Sequence, residues 1–286
     1  MEIHSIGVCL KPGQPQTGGL VGRLQKWALD HEIRVLVDEE AAHASDLEPT
    51  PRRDLCAEVD LIVSLGGDGT LLSVARAVGT RRVPILGLNL GSLGFLTEIN
   101  SNEMEDCLER LLSGDFEIES RMRLEVRVVR DGEEIAEFLA LNDAVIAKSA
   151  ISRMIDLVTH ADGSMLTTYH ADGLIVSTPT GSTAYSLSAG GPLLMPGLEA
   201  IVLTPICPHS LTHRPVVLDH GTLIESELLL ERDQQATLTV DGQEGIELRG
   251  HDRVMIRRSP FPVEIVASPF RSRYEIMRAK LRWGER

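Results

Sequence analysis

The chain has 286 residues, of which 42 are Asp or Glu and 28 are Lys or Arg, so its formal net charge is −14. Such an acidic chain repels phosphate at long range, which disfavours non-specific binding to nucleic acid or to an anionic membrane. The length is sufficient for about two domains. The four cysteines are far apart and form no CxxC pair, which disfavours a zinc knuckle and a dense disulfide framework.

Targeting and membrane signals are missing from the sequence. No basic region followed by a long apolar run opens the chain, and no segment approaches the roughly 20 apolar residues of a membrane helix. Scattered cysteines are typical of proteins in a reducing compartment. We therefore expect a cytoplasmic protein that binds neither nucleic acid nor a membrane.

The first third of the chain alternates strand-like and helix-like segments. Apolar, β-branched runs predict strands, and apolar residues at helical spacing predict helices. Strands are predicted at residues 3–10, 33–37, 59–65 and 83–88, helices at 20–28, 70–78 and 103–112, and a loop at 38–51. This alternation predicts an α/β domain with a parallel sheet over residues 1–120.

The pattern changes near residue 121, where short strands become frequent. Asp131-Gly132 and Asp162-Gly163 each lie between two strand-like runs, as in tight hairpin turns. Further strands are predicted at 174–177, 200–203, 216–218, 223–230, 236–240, 253–257 and 263–267. These indicate a β-rich domain over residues 121–267, built as a sandwich or as stacked sheets. Residues 268–286 contain a predicted helix, which we expect to pack back on the first domain.

The strongest local motif is Gly66-Gly67-Asp68-Gly69, between an apolar strand and a helix. Glycines at such a turn allow a ligand to approach the backbone, and the helix N-terminus attracts anions. Asp68 could accept a proton or help to hold a metal ion there, or it could simply cap the helix. The P-loop pattern is absent, and no third glycine completes a GxGxxG fingerprint, which disfavours a standard nicotinamide dehydrogenase.

A second motif is rich in hydroxyl groups. The predicted strand at 174–177 leads into a run that contains Ser177, Thr178, Thr180, Ser182 and Thr183, followed by Tyr185 and Ser186. One helix cap needs only one or two hydroxyls. The excess predicts hydrogen bonds to a sugar or a phosphate, with the Tyr185 ring available to lie against a base.

Three weaker features complete the local analysis. Asn142-Asp143 could recognise vicinal hydroxyls, although such a pair is more often a turn. His209 and His213 have metal-like spacing, but nearby prolines disfavour a helix there, and we predict no metal site. Asp241-Gly242 is most simply a hairpin turn.

Taken together, these motifs resemble those of the NAD kinase family. The matching segments are residues 66–69, 87–96, 142–143, 172–192 and 204–211, in the family's order. The family resemblance implies phosphorylation of the 2′-hydroxyl of the adenosine ribose of NAD, which gives NADP. It further implies ATP or polyphosphate as phosphoryl donor, a divalent metal (Mg²⁺ or Mn²⁺) and a homodimer or homotetramer.

The resemblance also implies residue roles. Asp68 would be the catalytic proton acceptor, and Gly66, Gly67 and Gly69 would shape the phosphate loop. The residues implied to contact NAD are Asp68, Gly69, Asn142, Asp143, Arg153, His170, Asp172, Thr183, Ala184, Tyr185, Ser186, Leu187, Ser188 and Gln243. No side chain is assigned to the metal.

Two other functions remain open at this level. One is a different phosphotransferase with a GGDG turn, such as a lipid kinase, although the sequence has no apolar membrane-docking stretch. The other is a dinucleotide-binding protein without catalysis, although the presence of Asp68 argues against it.

Overall fold

The computed structural model describes residues 2–13, 17–149, 153–231 and 234–284. The chain divides into two compact units, one formed by Met1–Ser120 with Val263–Arg286 and the other by Arg121–Pro262. Each unit has its own cluster of buried apolar side chains.

The first unit is built on one seven-stranded sheet. Its strands are β1 (Ser5–Leu10), β2 (Arg34–Val37), β3 (Leu61–Gly66), β4 (Ile85–Asn89), β5 (Ile99–Asn100), β6 (Ile118–Arg121) and β19 (Val263–Val266). They lie in the order β2-β1-β3-β4-β19-β6, and β5 pairs with β4. The pairs β1/β2, β1/β3, β3/β4, β4/β5 and β4/β19 are parallel. Strands β1, β3 and β4 are buried along their whole length, as expected for a parallel sheet covered on both faces, so the predicted α/β fold is confirmed.

The helices of this unit are α1 (Gly18–Asp30), α2 (Glu39–Ala42), α3 (Arg52–Glu58), α4 (Asp68–Val78), α5 (Met104–Ser113) and α7 (Arg273–Leu281). The prediction of a plain loop at 38–51 was wrong, because the segment contains α2. The Asp38 carboxylate caps α2 by accepting a hydrogen bond from the Ala41 N–H at 2.8 Å. Asp38 is fully buried and also pairs with the Arg52 guanidinium, whose Nε lies 3.0 Å from Oδ2.

The strand predicted at 263–267 lies in the first unit, although the sequence suggested that it belongs to the β-rich half. It forms β19, which pairs with β4 at Ile265 and Ile85. Val263, Ile265 and Val266 are all buried, so this strand suits a sheet that is covered on both faces. Helix α7 follows it within the same unit, where Arg271 forms a two-bond ion pair with Glu103.

The second unit contains two six-stranded sheets. The first comprises β7 (Leu124–Arg130), β8 (Glu133–Ala140), β10 (Ile155–Ala161), β11 (Ser164–Ala171), β15 (Ile224–Leu229) and β18 (Arg253–Arg258). The second comprises β9 (Asp143–Lys148), β12 (Gly173–Ser177), β13 (Ala200–Ile206), β14 (Val216–Asp219), β16 (Ala236–Val240) and β17 (Glu244–Leu248). Their orders are β11-β10-β15-β18-β7-β8 and β14-β13-β12-β9-β16-β17, and all pairs along both orders are antiparallel. Apolar side chains of both sheets form one core, which confirms the predicted β-rich fold.

The hairpin turns predicted at the Asp-Gly pairs are confirmed by their backbone geometry. Asp131 and Gly132 have φ values of 52° and 85°, and Asp162 and Gly163 have values of 48° and 75°. Two consecutive positive φ angles are the requirement of the tight hairpin turn that Asp-Gly favours. A third Asp-Gly turn, at Asp241-Gly242 with φ values of 51° and 65°, joins β16 to β17 through a three-residue loop that ends at Gln243.

Candidate active site

The Gly66–Gly69 turn joins β3 directly to α4 in the first unit. A Cβ on Gly66 would collide with the Thr70 side chain, so only glycine fits at this position. A Cβ on Gly67 or on Gly69 would meet no other atom within 4 Å. These two glycines therefore leave open space above the turn, into which a ligand can reach the backbone.

Asp68 does not cap α4, because Gly67 occupies the N-cap position. Its carboxylate instead binds the segment at 95–97: Oδ2 accepts from the Phe95 N–H at 2.9 Å, and Oδ1 accepts from the N–H groups of Leu96 at 3.1 Å and Thr97 at 3.0 Å. The Thr97 hydroxyl also donates to Oδ1 at 2.9 Å. Oδ1 is therefore saturated, whereas Oδ2 retains a lone pair for another donor. This arrangement favours a functional role over a capping role for Asp68.

The segment at 87–96 is one of those that carry the family resemblance, but the sequence assigned it no role. In the structure this segment holds Asp68 in place. The Asn89 side-chain amide donates to the Thr97 hydroxyl at 2.9 Å, and its carbonyl accepts from the Gly91 N–H at 2.7 Å. A Cβ on Gly94 would collide with the Asp68 carboxylate and with the Thr97 hydroxyl. Asn89, Gly94 and Thr97 are thus positioning residues whose roles the sequence motif did not reveal.

Gly94→Ala should lower kcat at least tenfold, because the new methyl group displaces the Asp68 carboxylate, and a misplacement of about 1 Å can reduce a rate about 100-fold. Overpacking should also lower the unfolding free energy by about 1–3 kcal/mol. Steady-state kinetics and thermal denaturation measure the two effects. The control is Gly22→Ala in α1, where the new Cβ meets no atom within 4 Å. Unchanged kinetics in Gly94→Ala would contradict the positioning role.

A cavity of about 230 Å³ lies beside the glycine turn in the first unit. It is lined by Lys11, Gly66, Gly67, Asn89, Leu90, Gly91 and Ser92. Lys11 follows the last residue of β1, and the sequence analysis assigned it no role. The structure therefore adds a cationic side chain to the phosphate-loop residues predicted from sequence.

In the second unit, Asn142 and Asp143 lie where β9 begins. Asp241, from the turn after β16, accepts hydrogen bonds from three successive N–H groups: that of Leu141 at 2.8 Å, that of Asn142 at 2.7 Å and that of Asp143 at 3.1 Å. In return, the Asp241 N–H donates to the Asp143 carbonyl at 2.9 Å. The hairpin turn predicted at Asp241 thus fixes the backbone of the Asn142-Asp143 pair.

Burial dominates the electrostatics around this pair. Desolvation, with a smaller contribution from the neighbouring Asp241, raises the pKa of Asp143 to about 7. Desolvation also raises the pKa of Asp241, although its three N–H donors and Arg123 oppose this rise. Burial lowers the pKa of the Arg123 guanidinium to about 10. Asp143 therefore exchanges a proton close to neutral pH.

The stability of the protein should reflect this raised pKa. The folded protein keeps the Asp143 proton up to a pKa of about 7, against an ordinary value of 3.8. The stabilisation from Asp143 is therefore complete below about pH 4 and is lost as the pH rises through 7. Wild type should therefore lose about 3 kcal/mol of unfolding free energy relative to Asp143→Asn when the pH is raised from 5 to 8.

Denaturant unfolding of both proteins at the two pH values measures this difference. The matched control is Asp131→Asn, at an exposed hairpin position, which should show no such pH dependence. A constant difference between Asp143→Asn and wild type across this range would rule out the raised pKa.

The hydroxyl-rich segment packs against the Asn142-Asp143 pair. The Thr178 N–H donates to the Asn142 carbonyl at 2.9 Å, and the Thr178 hydroxyl donates to the Leu141 carbonyl at 2.6 Å. A Cβ on Gly181 would collide with the Asn142 backbone. Three segments that are distant in sequence, 141–143, 178–183 and 241, therefore form one cluster within the second unit, which we call the Asn142 cluster.

The sequence predicted that the hydroxyl groups of residues 177–186 form hydrogen bonds to a ligand. For most of these hydroxyls the prediction was wrong, because they bond within the protein. Ser182 Oγ donates to the Pro179 carbonyl at 2.6 Å and accepts from the Leu194 N–H at 2.9 Å. The Thr183 hydroxyl donates to the Thr180 carbonyl at 3.0 Å, and the hydroxyls of Ser186 and Thr204 share a bond of 2.8 Å. These hydroxyls satisfy backbone and side-chain groups of the turn itself, because buried polar groups need partners.

A short helix, α6 (Tyr185–Ser188), continues from this turn. Tyr185 and Ser188 are exposed, Thr183, Ala184 and Leu187 are partly buried, and Ser186 is buried. The Tyr185 ring is therefore free to contact a flat ligand such as a base.

The remaining predicted contacts also belong to the second unit. His170 Nδ1 lies 2.8 Å from Asp156 Oδ1, and Asp172 Oδ1 lies 3.7 Å from the Lys148 ammonium. Arg153 is exposed, and Gln243 is an exposed residue of the turn between β16 and β17. The partners of His170 and Asp172 in these two pairs lie outside the Asn142 cluster. The contacts of all four residues with NAD therefore stay predictions.

The two histidines at 209 and 213 pack against different rings. His213 packs edge-on against Tyr169, and His209 packs against His170, with centroid separations of 5.1 and 5.7 Å. In residues 2–13, 17–149, 153–231 and 234–284, no three His, Cys, Asp or Glu side chains converge. Across the same residues, no helix is long and apolar enough to cross a membrane.

An anchored carboxylate beside an open glycine turn in an α/β unit suits a phosphotransferase that acts on an alcohol group. The family model for the ATP-NAD kinase N-terminal domain matches residues 6–116, and the model for the ATP-NAD kinase C-terminal domain matches residues 141–268. The chain belongs to the NAD kinase family.

Individual relatives agree with this assignment. An NAD kinase from Geotalea daltonii is 49% identical over 99% of this chain and 100% of its own length. An NAD kinase from Geobacter sulfurreducens is 48% identical over the same shares. Among solved structures, yeast NADH kinase in complex with NADH matches 100% of this chain and 89% of its own, at 28% identity and a TM-score of 0.92. An NAD kinase from Archaeoglobus fulgidus in complex with ATP matches 96% of this chain and 99% of its own, at 28% identity and a TM-score of 0.79.

Proposed function

We propose that this protein transfers the γ-phosphoryl group of ATP to the 2′-hydroxyl of the adenosine ribose of NAD, and so forms NADP and ADP. Membership of the NAD kinase family supports this reaction. The observation that carries it is the Asp68 carboxylate, which four hydrogen bonds hold beside an open glycine turn. These bonds fix the position of the carboxylate and leave a lone pair on Oδ2 that can accept a proton.

Asp68 acts as the proton acceptor in this mechanism. The ribose 2′-oxygen forms a bond to the γ-phosphorus while the bond from that phosphorus to the bridging oxygen breaks and ADP leaves. The proton of the 2′-hydroxyl passes to Asp68 Oδ2, the oxygen that retains a lone pair. Phosphoryl transfer depends mainly on the positioning of the reactants and on neutralisation of charge. The fixed position of the Asp68 carboxylate therefore matters as much as its ability to accept the proton.

The Asn142 cluster binds the dinucleotide. An amide and a carboxyl on adjacent residues can donate to and accept from a pair of ribose hydroxyls. With a pKa of about 7, the Asp143 carboxyl exists in both protonation states near neutral pH and can serve as donor or as acceptor. Tyr185 covers the base, and the contacts to NAD are completed by Gly69, Arg153, His170, Asp172, Ala184, Leu187, Ser188 and Gln243. Thr183 and Ser186 hold the turn that presents these groups, because their hydroxyls bond to Thr180 and Thr204.

A divalent metal ion, Mg²⁺ or Mn²⁺, accompanies the donor. Mg²⁺ commonly binds through substrate phosphates and one or two carboxylates while it keeps several waters. The described residues contain no closed group of three metal-ligating side chains, which fits an ion that is carried by the phosphates. When bound, the ion neutralises charge on the donor phosphates.

The family resemblance supports a homo-oligomer, and the scattered cysteines support a reducing compartment. We propose a homodimer or homotetramer in the cytoplasm, in which Asp172 serves the site of a neighbouring subunit. We also propose that the two compact units, residues 1–120 with 263–286 and residues 121–262, are separate folding domains.

The test is formation of NADP from NAD, ATP and Mg²⁺, followed with a dehydrogenase that is specific for NADP. Robust turnover supports the proposal, and replacement of ATP by polyphosphate then defines the donor. No turnover with either donor, from protein with a cooperative unfolding transition, would favour a dinucleotide-binding protein without catalysis.

A further inference from the structure

The C-terminal part of the first unit holds the segment that binds Asp68. We call residues 95–98 the Asp68-binding segment, because three of its N–H groups donate to the Asp68 carboxylate. The side chain of Glu98, which ends this segment, is 9% exposed, and its Oε2 accepts from the Ser268 N–H at 3.4 Å. Its Oε1 lies 3.5 Å from Arg273 Nη1. Because a buried carboxylate needs a compensating charge, the position of Arg273 fixes the position of Glu98.

Arg273 is the first residue of α7 and binds two carboxylates. Its Nη1 faces Glu98, and its Nη2 forms an ion pair with Oε2 of Glu119, on β6. The stability of α7 does not explain a cation at this position, because a positive charge opposes the dipole at a helix N-terminus. Without Arg273, the two carboxylates would repel each other in a partly desolvated place, and Glu98 would displace the N–H donors that precede it.

Helix α7 also contacts the other end of the Asp68-binding segment. Lys280 Nζ lies 5.8 Å from the centroid of the Phe95 ring, within the range of a cation–π contact. The helix is itself fixed in place: Ser272 and Glu275 form a capping box at its N-terminus, and Ile276 is buried. One helix of fixed position therefore contacts the segment at both of its ends.

We propose that Arg273 and Glu98 are positioning residues for the Asp68 carboxylate, and that α7 holds the Asp68-binding segment in the geometry that proton transfer requires. The inference rests on the proposed function and extends it, because the sequence motifs gave neither residue a role. Helix α7 lies outside the residues that the two family models match. Arg273 acts through Glu98 on the main chain that supplies the N–H donors.

The test compares Arg273→Gln with Arg271→Gln in steady-state kinetics. Arg273→Gln should lower kcat about tenfold and leave the KM for NAD and the KM for ATP within about twofold, because a small misplacement of a catalytic group reduces a rate strongly. Arg271→Gln is the matched control, since Arg271 lies two residues away and forms an ion pair with Glu103 instead. It should leave kcat within about twofold of wild type. Equal losses of kcat in the two variants, or an unchanged kcat in Arg273→Gln, would overturn the proposal.

Two further variants separate positioning from a general loss of stability. In the Asp68→Asn background, Arg273→Gln should lower kcat by less than about twofold, because two residues that act through one group have non-additive effects. A further tenfold loss in that background would show that Arg273 does not act through Asp68. Glu98→Gln leaves the pair between Arg273 and Glu119 intact, so it tests the same link if Arg273→Gln fails to fold. It too should lower kcat without a change in either KM, and wild-type kinetics in Glu98→Gln would contradict the proposal.

A second measurement does not depend on turnover. Hydrogen exchange of the amides of the Asp68-binding segment should be about tenfold faster in Arg273→Gln than in wild type, because the loss of a bond to a charged group favours local opening. Arg271→Gln should leave this exchange unchanged. Equal exchange in Arg273→Gln and wild type would overturn the positioning role. A wild-type protein that forms no NADP, but whose exchange responds to Arg273→Gln, would contradict the proposed function and leave the support by α7 standing.

Discussion

Asp68→Asn should lower kcat by about 10²–10⁴-fold, the range expected when a general base is removed. The amide cannot accept the ribose proton, and its NH₂ group would face N–H donors that now bind a carboxylate oxygen. The affinity for NAD should stay within a few-fold of wild type, because the Asn142 cluster remains intact. Steady-state kinetics gives kcat, and calorimetric titration with NAD gives the affinity.

Two controls separate proton transfer from loop geometry. Asp106→Asn makes the same change at an exposed position in the first turn of α5 and should leave the kinetics unchanged. Thr97→Val removes one of the four donors to Asp68 but keeps the carboxylate, so it should reduce kcat much less. If Thr97→Val reduced kcat as strongly as Asp68→Asn, the position of the loop rather than the proton acceptor would account for the loss.

Asp241→Ala should destabilise the protein by at least about 3 kcal/mol, because three N–H donors would lose their acceptor and each hydrogen bond to a charged group contributes about 1.5–3 kcal/mol. Removal of a buried carboxylate offsets part of the summed loss. The KM for NAD should rise more than tenfold, because the backbone of Asn142 and Asp143 would no longer be fixed. The KM for ATP should change little. Denaturant unfolding and kinetics with each substrate varied in turn measure these effects.

The matched control is Asp131→Ala, at a hairpin position with the same positive φ angle. Asp131 has a φ of 52° and Asp241 a φ of 51°, so both variants place alanine in the same unfavourable region. Asp131 is exposed and accepts no N–H bonds in the described structure, so this variant reports the backbone strain alone. Equal losses of stability in the two variants would mean that the three hydrogen bonds add nothing beyond that strain.

Local patterns predicted those parts of the fold that depend on neighbouring residues. Asp-Gly pairs predicted three hairpins, since Gly and Asp tolerate the positive φ angles of such turns. The buried apolar run before Gly66 gave β3, because such runs suit a parallel sheet. Helix α2 was missed because it has only four residues and depends on its Asp38 cap, and β19 was assigned to the wrong half because a short apolar strand fits either kind of sheet.

The sequence by itself determined the α/β and β-rich units, the family and the position of the glycine turn, because each of these depends on patterns of contiguous residues. Only the tertiary structure decided what the polar residues do. Asp68 meets its N–H donors 27 to 29 positions away, and Asp241 meets its donors 98 to 100 positions away. Whether a hydroxyl or a carboxylate is available to a ligand depends on the hydrogen-bond partners that folding brings to it. These partners are distant in sequence, so a local pattern cannot reveal them.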